Sequence, residues 1–510
     1  MMRSRPGRHQ PVRNSTQSAV CLALTSDSPL HSSFTRQARQ AIVLAMLCAA
    51  GLLCTTLQQA VGGEPARPAA DAVGPNATEA GSGWKAGFGR VRITPEKPMF
   101  ASGYGGRDKP TEVTVHELYA RTAALQDADG NTVVVIGLDL IGVPDKTMAS
   151  VISREIEKKH GIPRENLMFA SSHTHSGPAL DDMLSHMMAM SPEDWQVVRD
   201  HQLLLNQKVI QAIEEAIADL APALVSAGSG NCGFASNRRY PRGIGPYDHS
   251  VPVLRVTTPD GSRIRGMVYG YACHNTVLGM YTWNGDYAGY ASSWLEDRFP
   301  GAVAVFHAGC GADQNPLPRR TVELAEKYGR MLGYACSLVV REEMQPVAPK
   351  ARAAFSRTDL AFDQLPTEAR IRENLKSSSR YERARAGVLL EQLQSQGSLS
   401  PTYPYPVQVW QLGDTITWVA LGGEVVVEYA LRLQQELDSP QVWVTGYAND
   451  VMAYIPSERI LAAGGYEGDT SMIVYQQPSK WKTGLEDQIV GEVRKLTEAI
   501  GGQVKAPSDR

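Results

Sequence analysis

From residue 84 onward, short β-rich apolar runs alternate with longer segments whose apolar residues recur every three or four positions. The runs at residues 118–126, 132–139, 167–171, 224–227, 251–257, 264–273, 302–307, 407–411, 416–421 and 442–446 predict strands. The segments 145–160, 192–220, 319–340, 366–395, 425–437 and 483–500 predict helices. This alternation predicts an α/β fold, a mixed sheet with flanking helices in a single large domain. The segment 366–395 stands apart. Arg370, Arg372, Lys376, Arg380, Arg383 and Arg385 spread over most of its faces among several acids, which predicts a solvated surface helix, a lid over a pocket being the alternative.

The first 83 residues follow another pattern. Residues 1–40 carry Arg3, Arg5, Arg8, Arg13, Arg36 and Arg39 against the single acid Asp27, and residues 41–54 are uninterruptedly apolar. Residues 1–60 therefore read as an export signal. A transmembrane helix needs about 20 apolar residues, so the stretch is short for one, but the long basic leader leaves an uncleaved N-terminal anchor as the alternative. Residues 61–83, rich in Gly, Ala and Pro without periodicity, read as a flexible linker. The chain is expected to be exported, to a periplasmic or extracellular location.

A chain of 510 residues that is 43% hydrophobic and 20% charged is ordinary globular material, and a net charge of -3 gives no support for a nucleic-acid footprint. The expected partner is a small molecule. Of seven cysteines, Cys21, Cys48 and Cys54 fall in the leader. Cys273, Cys310 and Cys336 sit inside apolar segments and are expected as buried thiols, although an exported chain allows them and Cys232 three full pairings.

Candidate chemistry concentrates where apolar runs end. The run 167–170 leads into Ser172-His173-Thr174-His175-Ser176-Gly177-Pro178. In extended backbone, residues i and i+2 project to one side, so His173 and His175 can face one point, with Gly177 and Pro178 ending the strand. Two neutral imidazoles at a strand end suit a transition metal, zinc first; a polar loop with one histidine capping a backbone group is the plainer reading. His274 ends a second apolar run, Asp313 follows a third, and Glu424 follows a fourth through Gly422-Gly423. Each alone is a weak signal, and together with His-x-His they point to one site.

The segments Gly87-Phe-Gly-Arg-Val-Arg-Ile-Thr-Pro95, His116-Glu-Leu-Tyr-Ala-Arg121, Ser172 to Pro178, Gly285-Asp-Tyr-Ala-Gly-Tyr-Ala291, Gly422-Gly423-Glu424 and Gly465-Tyr-Glu-Gly-Asp-Thr470 occur in an order that resembles the neutral/alkaline, non-lysosomal ceramidases. The resemblance spans residues 87–470 and implies a ceramidase-like catalytic domain over 84–505. It implies a Zn2+ cofactor held by His173, His274, Glu424 and Tyr454, the last placed by lying twelve residues before Tyr466. It also implies hydrolysis of N-acylsphingosine to sphingosine and a fatty acid. His175 would stand beside the metal, Asn237-Arg238 would reach the substrate, and Arg238 or His175 would stabilise an oxyanion or leaving carboxylate. Asp313 would orient a histidine or a water. One departure matters: the family's Gly-Asp-x-Ser-Pro aligns with Ala312-Asp-Gln-Asn-Pro316, so Asn315 stands where the family serine is expected. Asparagine cannot act as that nucleophile, though it can donate a hydrogen bond to an oxyanion. The expected substrate is thus a lipid or another acyl amide or ester, with contact at a membrane surface, and a non-catalytic metal-containing binding protein is the rival from another class. Oligomeric state stays open. Met183, Met187, Met188 and Met190 read either as an apolar wall for an acyl chain or as core.

Overall fold

The computed structural model describes residues 83–506 except 185, 186 and 242; the segment expected as an export signal, nearly all of the expected linker, and Cys21, Cys48 and Cys54 lie outside them. The first sheet contains β1 (Trp84–Arg92), β2 (Tyr119–Gln126), β3 (Thr132–Leu138), β4 (Leu167–Ser171), β5 (Ala221–Asn231), β6 (Ser250–Thr257), β7 (Ile264–Tyr271) and β8 (Val303–Ala308). Their order is β8-β7-β6-β5-β1-β2-β3-β4, with the short strand Gln345–Pro346 added on β5. The two outermost pairs, β7 with β8 and β3 with β4, are parallel, and the pairs between them antiparallel. A second sheet holds β9 (Ala351–Ala361), β10 (Thr402–Leu412), β11 (Ile416–Leu421) and β12 (Gln441–Thr445) in chain order, with β11 and β12 parallel.

Helices cover these sheets: α1 (Ser150–His160), α2 (Pro192–Ala218), α3 (Asp286–Arg298), α4 (Val322–Val339), α5 (Glu368–Asn374), α6 (Arg380–Gln396), α7 (Val427–Glu436), α8 (Glu458–Ala463) and α9 (Leu485–Ala499). The α/β class with a mixed sheet expected from the sequence is what the chain adopts. Among the described residues no helix is long and apolar enough to cross a membrane.

Of the strands the sequence did not announce, the central one is β1. Its glycines read as breakers, yet packing demands them: a Cβ on Gly87 would lie 2.2 Å from the Ala216 carbonyl oxygen, and one on Gly89 2.0 Å from that of Ala212. Helix α2 thus rests directly on the β1 backbone. Its own start is written locally, since Pro192 follows Ser191, whose hydroxyl accepts from Asp194 N–H while the Asp194 carboxylate accepts from Ser191 N–H. Strand β9 and helix α3 were likewise unmarked by any strong apolar period.

The expected single helix over 366–395 is two, α5 and α6. The break falls at Ser377-Ser378-Ser379, residues that favour caps over helix interiors, and the Ser379 hydroxyl accepts the Glu382 N–H. The pair buries a small cluster of Ile371, Ala386, Leu389 and Leu399. At the start of α6, Arg380 donates to the Gly105 and Met187 carbonyls. Met183, Met187 and Met188 join the main core, which settles their packing. Between the sheets, Phe88, Leu125 and Val135 pack against Trp410, Trp418 and Trp443. Burial of such large side chains contributes about 1.5–3 kcal/mol each. Cys232, Cys273, Cys310 and Cys336 are all buried and unpaired.

Candidate metal centre

The three parallel pairs of the two larger sheets deliver their carboxyl ends to one place. Gly309, just after β8, bridges Thr445 at the end of β12, and Ala170 in β4 bridges Ala448 just after β12. Crevices of this kind, where parallel strands end, are where α/β sheets gather their ligands. His173 follows β4, His274 follows β7, Glu424 follows β11, and Glu424 pairs in parallel register with Tyr454.

His173 and His175 converge by a different route from the extended one expected. β4 ends at Ser171, where the Ser172 N–H makes the last bond to β3 at the Leu138 carbonyl, and His173 then takes a left-handed backbone with φ 59°. Such a conformation costs about 1–2 kcal/mol for a residue with a Cβ, so the surrounding structure imposes it.

Each imidazole is pinned by its Nδ1. His173 Nδ1 lies 2.5 Å from the Ile141 carbonyl oxygen, His175 Nδ1 2.9 Å from that of Gly103, and His274 Nδ1 3.2 Å from that of Gly311. Carbonyls only accept, so each Nδ1 carries the proton and each Nε2 presents a lone pair. These lone pairs meet: the His173 and His175 Nε2 atoms are 3.1 Å apart, and the three histidines can offer ligand atoms all within 4.8 Å of one another. Glu424 Oε2, buried and without a hydrogen-bond partner, lies 3.3 Å from His173 Nε2 and 3.4 Å from His274 Nε2. Four acceptors facing one point is the donor set a borderline-soft divalent cation requires, and the Nδ1-to-carbonyl bonds are the outer contacts that orient metal-bound histidines. Burial, with the neighbouring cations, pushes His175 and His274 well below the usual histidine range and keeps them neutral.

Tyrosines frame the centre. Tyr475 donates to Glu424 Oε1 at 2.5 Å, the Tyr447 ring lies 4.3 Å from that of His173, and the Tyr447 hydroxyl is 3.2 Å from His274 Nδ1. Burial and the nearby Glu424 raise Tyr447, Tyr454 and Tyr475 well above the usual phenol value, so all three stay protonated. Arg238 donates to the Tyr454 hydroxyl at 3.1 Å and to Glu467 at 2.7 Å. Burial opposes the Arg238 charge, yet Tyr454 and Glu467 hold its pKa above the ordinary arginine value.

Asp313 bonds to no imidazole among the described residues. Its oxygens accept from Asn237 Nδ2 at 2.7 Å and Val427 N–H at 2.9 Å, which fastens the Arg238 segment to the start of α7. Burial lifts its pKa to about 6. Asn315 is buried in a short strand opposite Ser236, and its Oδ1 has no partner. A separate cavity of about 200 Å³, lined by Asp248, Tyr271, His307 and Trp443, includes none of the three imidazoles. Tyr447, Tyr475 and Glu467 were missed by sequence reasoning. Glu467 sits inside a quoted motif, whereas Tyr447 and Tyr475 carry no spacing signal, since only the fold brings them to the centre.

No family model matches the chain. The neutral ceramidase of Pseudomonas aeruginosa is 27% identical over 242 residues, 44% of this chain and 35% of that relative, so the match spans about a third of the relative's length. A crystal structure of neutral ceramidase from Pseudomonas aeruginosa superposes with a TM-score of 0.63 and 18% identity, covering 84% of this chain and 76% of that one. A ceramidase complexed with C2 gives a TM-score of 0.64 at 18% identity, covering 84% of this chain and 77% of its own. The chain shares the fold of the neutral ceramidases and is related to them in sequence.

Proposed function

We propose that residues 84–505 form an exported, zinc-dependent hydrolase of linear acyl amides, with ceramide cleavage to sphingosine and fatty acid as the named reading. The observation that carries it is the convergence of three imidazole Nε2 lone pairs and Glu424 Oε2, with every Nδ1 proton already committed to a carbonyl. His173, His274 and Glu424 would hold the ion, with Tyr454, paired in register with Glu424, as the fourth ligand and His175 beside the ion. A zinc ion in such a site supplies a Lewis acid for an acyl carbonyl and can lower a bound water's pKa to about 7.

The chain's own groups divide the remaining work. His175, neutral and tied to Gly103, keeps its Nε2 lone pair toward the substrate and can accept a proton there. Arg238, clamped by Glu467, offers a fixed cation to a developing oxyanion or to the carboxylate product. Tyr475 holds Glu424 in one orientation by its short hydrogen bond. The Asn315 carboxamide can donate to an oxyanion but cannot attack a carbonyl, which favours water over a side-chain nucleophile. Residues 1–60 serve export, and the lipid substrate is met at a membrane surface.

The replacement at Asn315 also motivates a second reading, a metal-containing binding protein without turnover. Zinc content and hydrolysis of a fluorogenic short-chain ceramide, measured for wild type, His173→Ala, His175→Ala and Asn315→Ser, separate the two. The hydrolase reading expects about one zinc per chain, lost with activity in His173→Ala. In His175→Ala it expects zinc retained and activity lost; loss of zinc there would make His175 a ligand. Zinc without hydrolysis of any acyl amide or ester supports the binding protein, and absence of zinc rejects both.

A further inference from the structure

On one side of the imidazole centre, arginines outnumber the carboxylates that could balance them. Arg107 is 3% exposed and donates only to carbonyls, those of Ser102, His175 at 2.7 Å and Met280 at 3.0 Å. Its Nε is buried without a partner, and burial pushes its pKa down to about 10. The Tyr104 ring stands 4.9 Å from the His175 ring, and the Arg107 and Arg320 guanidinium carbons lie 5.2 and 5.1 Å from the Tyr104 centroid. Arg320 is exposed and donates to the Tyr104 hydroxyl at 2.9 Å. Half-buried Arg319 reaches Thr276, two residues beyond His274, at 3.4 Å. Burial, and after it the charges of Arg320 and Arg238, push the Arg319 pKa down.

Asp286 is a carboxylate that feels the Arg320 charge. It is buried and takes the N–H groups of Leu278 and Tyr287; burial lifts its pKa to about 6, so at neutral pH it sets one negative charge against the three guanidinium groups of Arg107, Arg319 and Arg320. Glu467 is already spent on Arg238 and Arg239. Arg107 is enclosed, whereas half-buried Arg319 and exposed Arg320 are open to a ligand, and guanidinium pairs best with a planar carboxylate. The Tyr104 ring separates Arg320 from His175, and Arg319 bonds Thr276, whose N–H donates to the His274 carbonyl, so the charge they select lies close to the bond being cleaved. In an N-acylated amino acid the carboxylate is two bonds from the amide nitrogen.

We propose that the substrate is an acyl amide carrying a carboxylate on its amine side, an N-acylated amino acid, and that Arg319 and Arg320 receive that carboxylate. This rests on the hydrolase reading above. One water is consumed: the amide C–N bond breaks and a C–O bond forms between the acyl carbon and the water oxygen. Both water protons end on the nitrogen, so the products are a fatty carboxylate and a zwitterionic amino acid, and the net charge of −1 is conserved. Arg107, beneath Tyr104, adds to the field without touching the ligand.

The test compares kcat/KM of the zinc-loaded full chain for N-lauroylglycine and for its neutral analogue N-lauroylethanolamine. Wild type should favour the anion by about tenfold or more at low ionic strength, the scale of a hydrogen bond to a charge. The preference should shrink in high salt, because charges at the rim are screened. The double variant Arg319→Gln/Arg320→Gln should reduce the ratio toward one, whereas Arg370→Gln on exposed α5 should keep the wild-type ratio. Equal rates in wild type, or a ratio unchanged in the double variant, overturn the proposal. If neither compound is cleaved, the hydrolase reading is judged by the short-chain ceramide assay above, and calorimetric titration with the same two compounds decides the inference by itself. Selective binding of N-lauroylglycine that the double variant loses sustains it; equal binding, or none, overturns it.

Discussion

Two buried polar clusters lie at the ends of the neighbouring strands β3 and β4, and they are built in opposite ways. After β3, Asp139 meets Arg121 of β2 at 3.1 Å, Arg121 meets Glu296 of α3 at 2.8 Å, and Glu296 meets Arg90 of β1 at 3.1 Å. Cations and anions alternate, so the cluster is complete within the protein. After β4, His173 faces two imidazole lone pairs and a carboxylate oxygen, and acceptor meets acceptor. The contrast teaches that burial and titratable groups alone do not distinguish a fastening from a site. What distinguishes them is whether the hydrogen-bonding capacity closes. Buried groups that do not close internally are the ones waiting for a ligand.

The largest effect expected is at the open cluster. His274→Ala should lose bound zinc and lower kcat/KM for an acyl amide by about a thousandfold or more, read by metal analysis and hydrolysis rates, since metal supply underlies the chemistry. Next comes the closed cluster, where Arg121→Met leaves Glu296 and Asp139 buried without their central partner and should cost about 3–5 kcal/mol in chemical denaturation. Folded Arg121→Met should still hold zinc; if it lost zinc with wild-type stability, the comparison would be reversed.

His307 lies between the two cases, with Nδ1 2.9 Å from the Thr445 hydroxyl and Nε2 buried and unpaired. Burial lowers its pKa to about 3, so the unfolded chain binds a proton that the folded chain refuses. Stability should therefore be full above about pH 6.5 and decline as pH falls toward 3, by about 2 kcal/mol at pH 5 for one such histidine. His307→Gln should flatten that decline in melting curves taken between pH 7 and 5. The smallest effect sharpens the contrast most: in chelator-treated protein, Glu424→Gln should raise stability by about 1 kcal/mol, because an amide N–H can donate where two Nε2 lone pairs face a carboxylate oxygen. The corresponding change in the closed cluster, Glu296→Gln, should lower it.

The sequence by itself determined much of the scaffold. β3, β4, β6 and β11 lie within one residue of the runs read as strands, and α2 starts where Ser191 and Pro192 announce it, because burial on both faces and helix capping are local demands written in local residues. It also named His173, His175, His274 and Glu424, since each follows an apolar run. Only tertiary structure decided the rest. β1 is a central strand because α2 packs against Gly87 and Gly89, and a glycine has no local pattern that reports what lies above it. His173 is turned by a left-handed backbone that its neighbours enforce, where local geometry alone suggested an extended strand. Tyr475 reaches Glu424 across 51 residues, and Arg320 reaches Tyr104 across 216. Such contacts depend on through-space convergence of strand ends, and periodicity along a chain carries no information about which ends will meet.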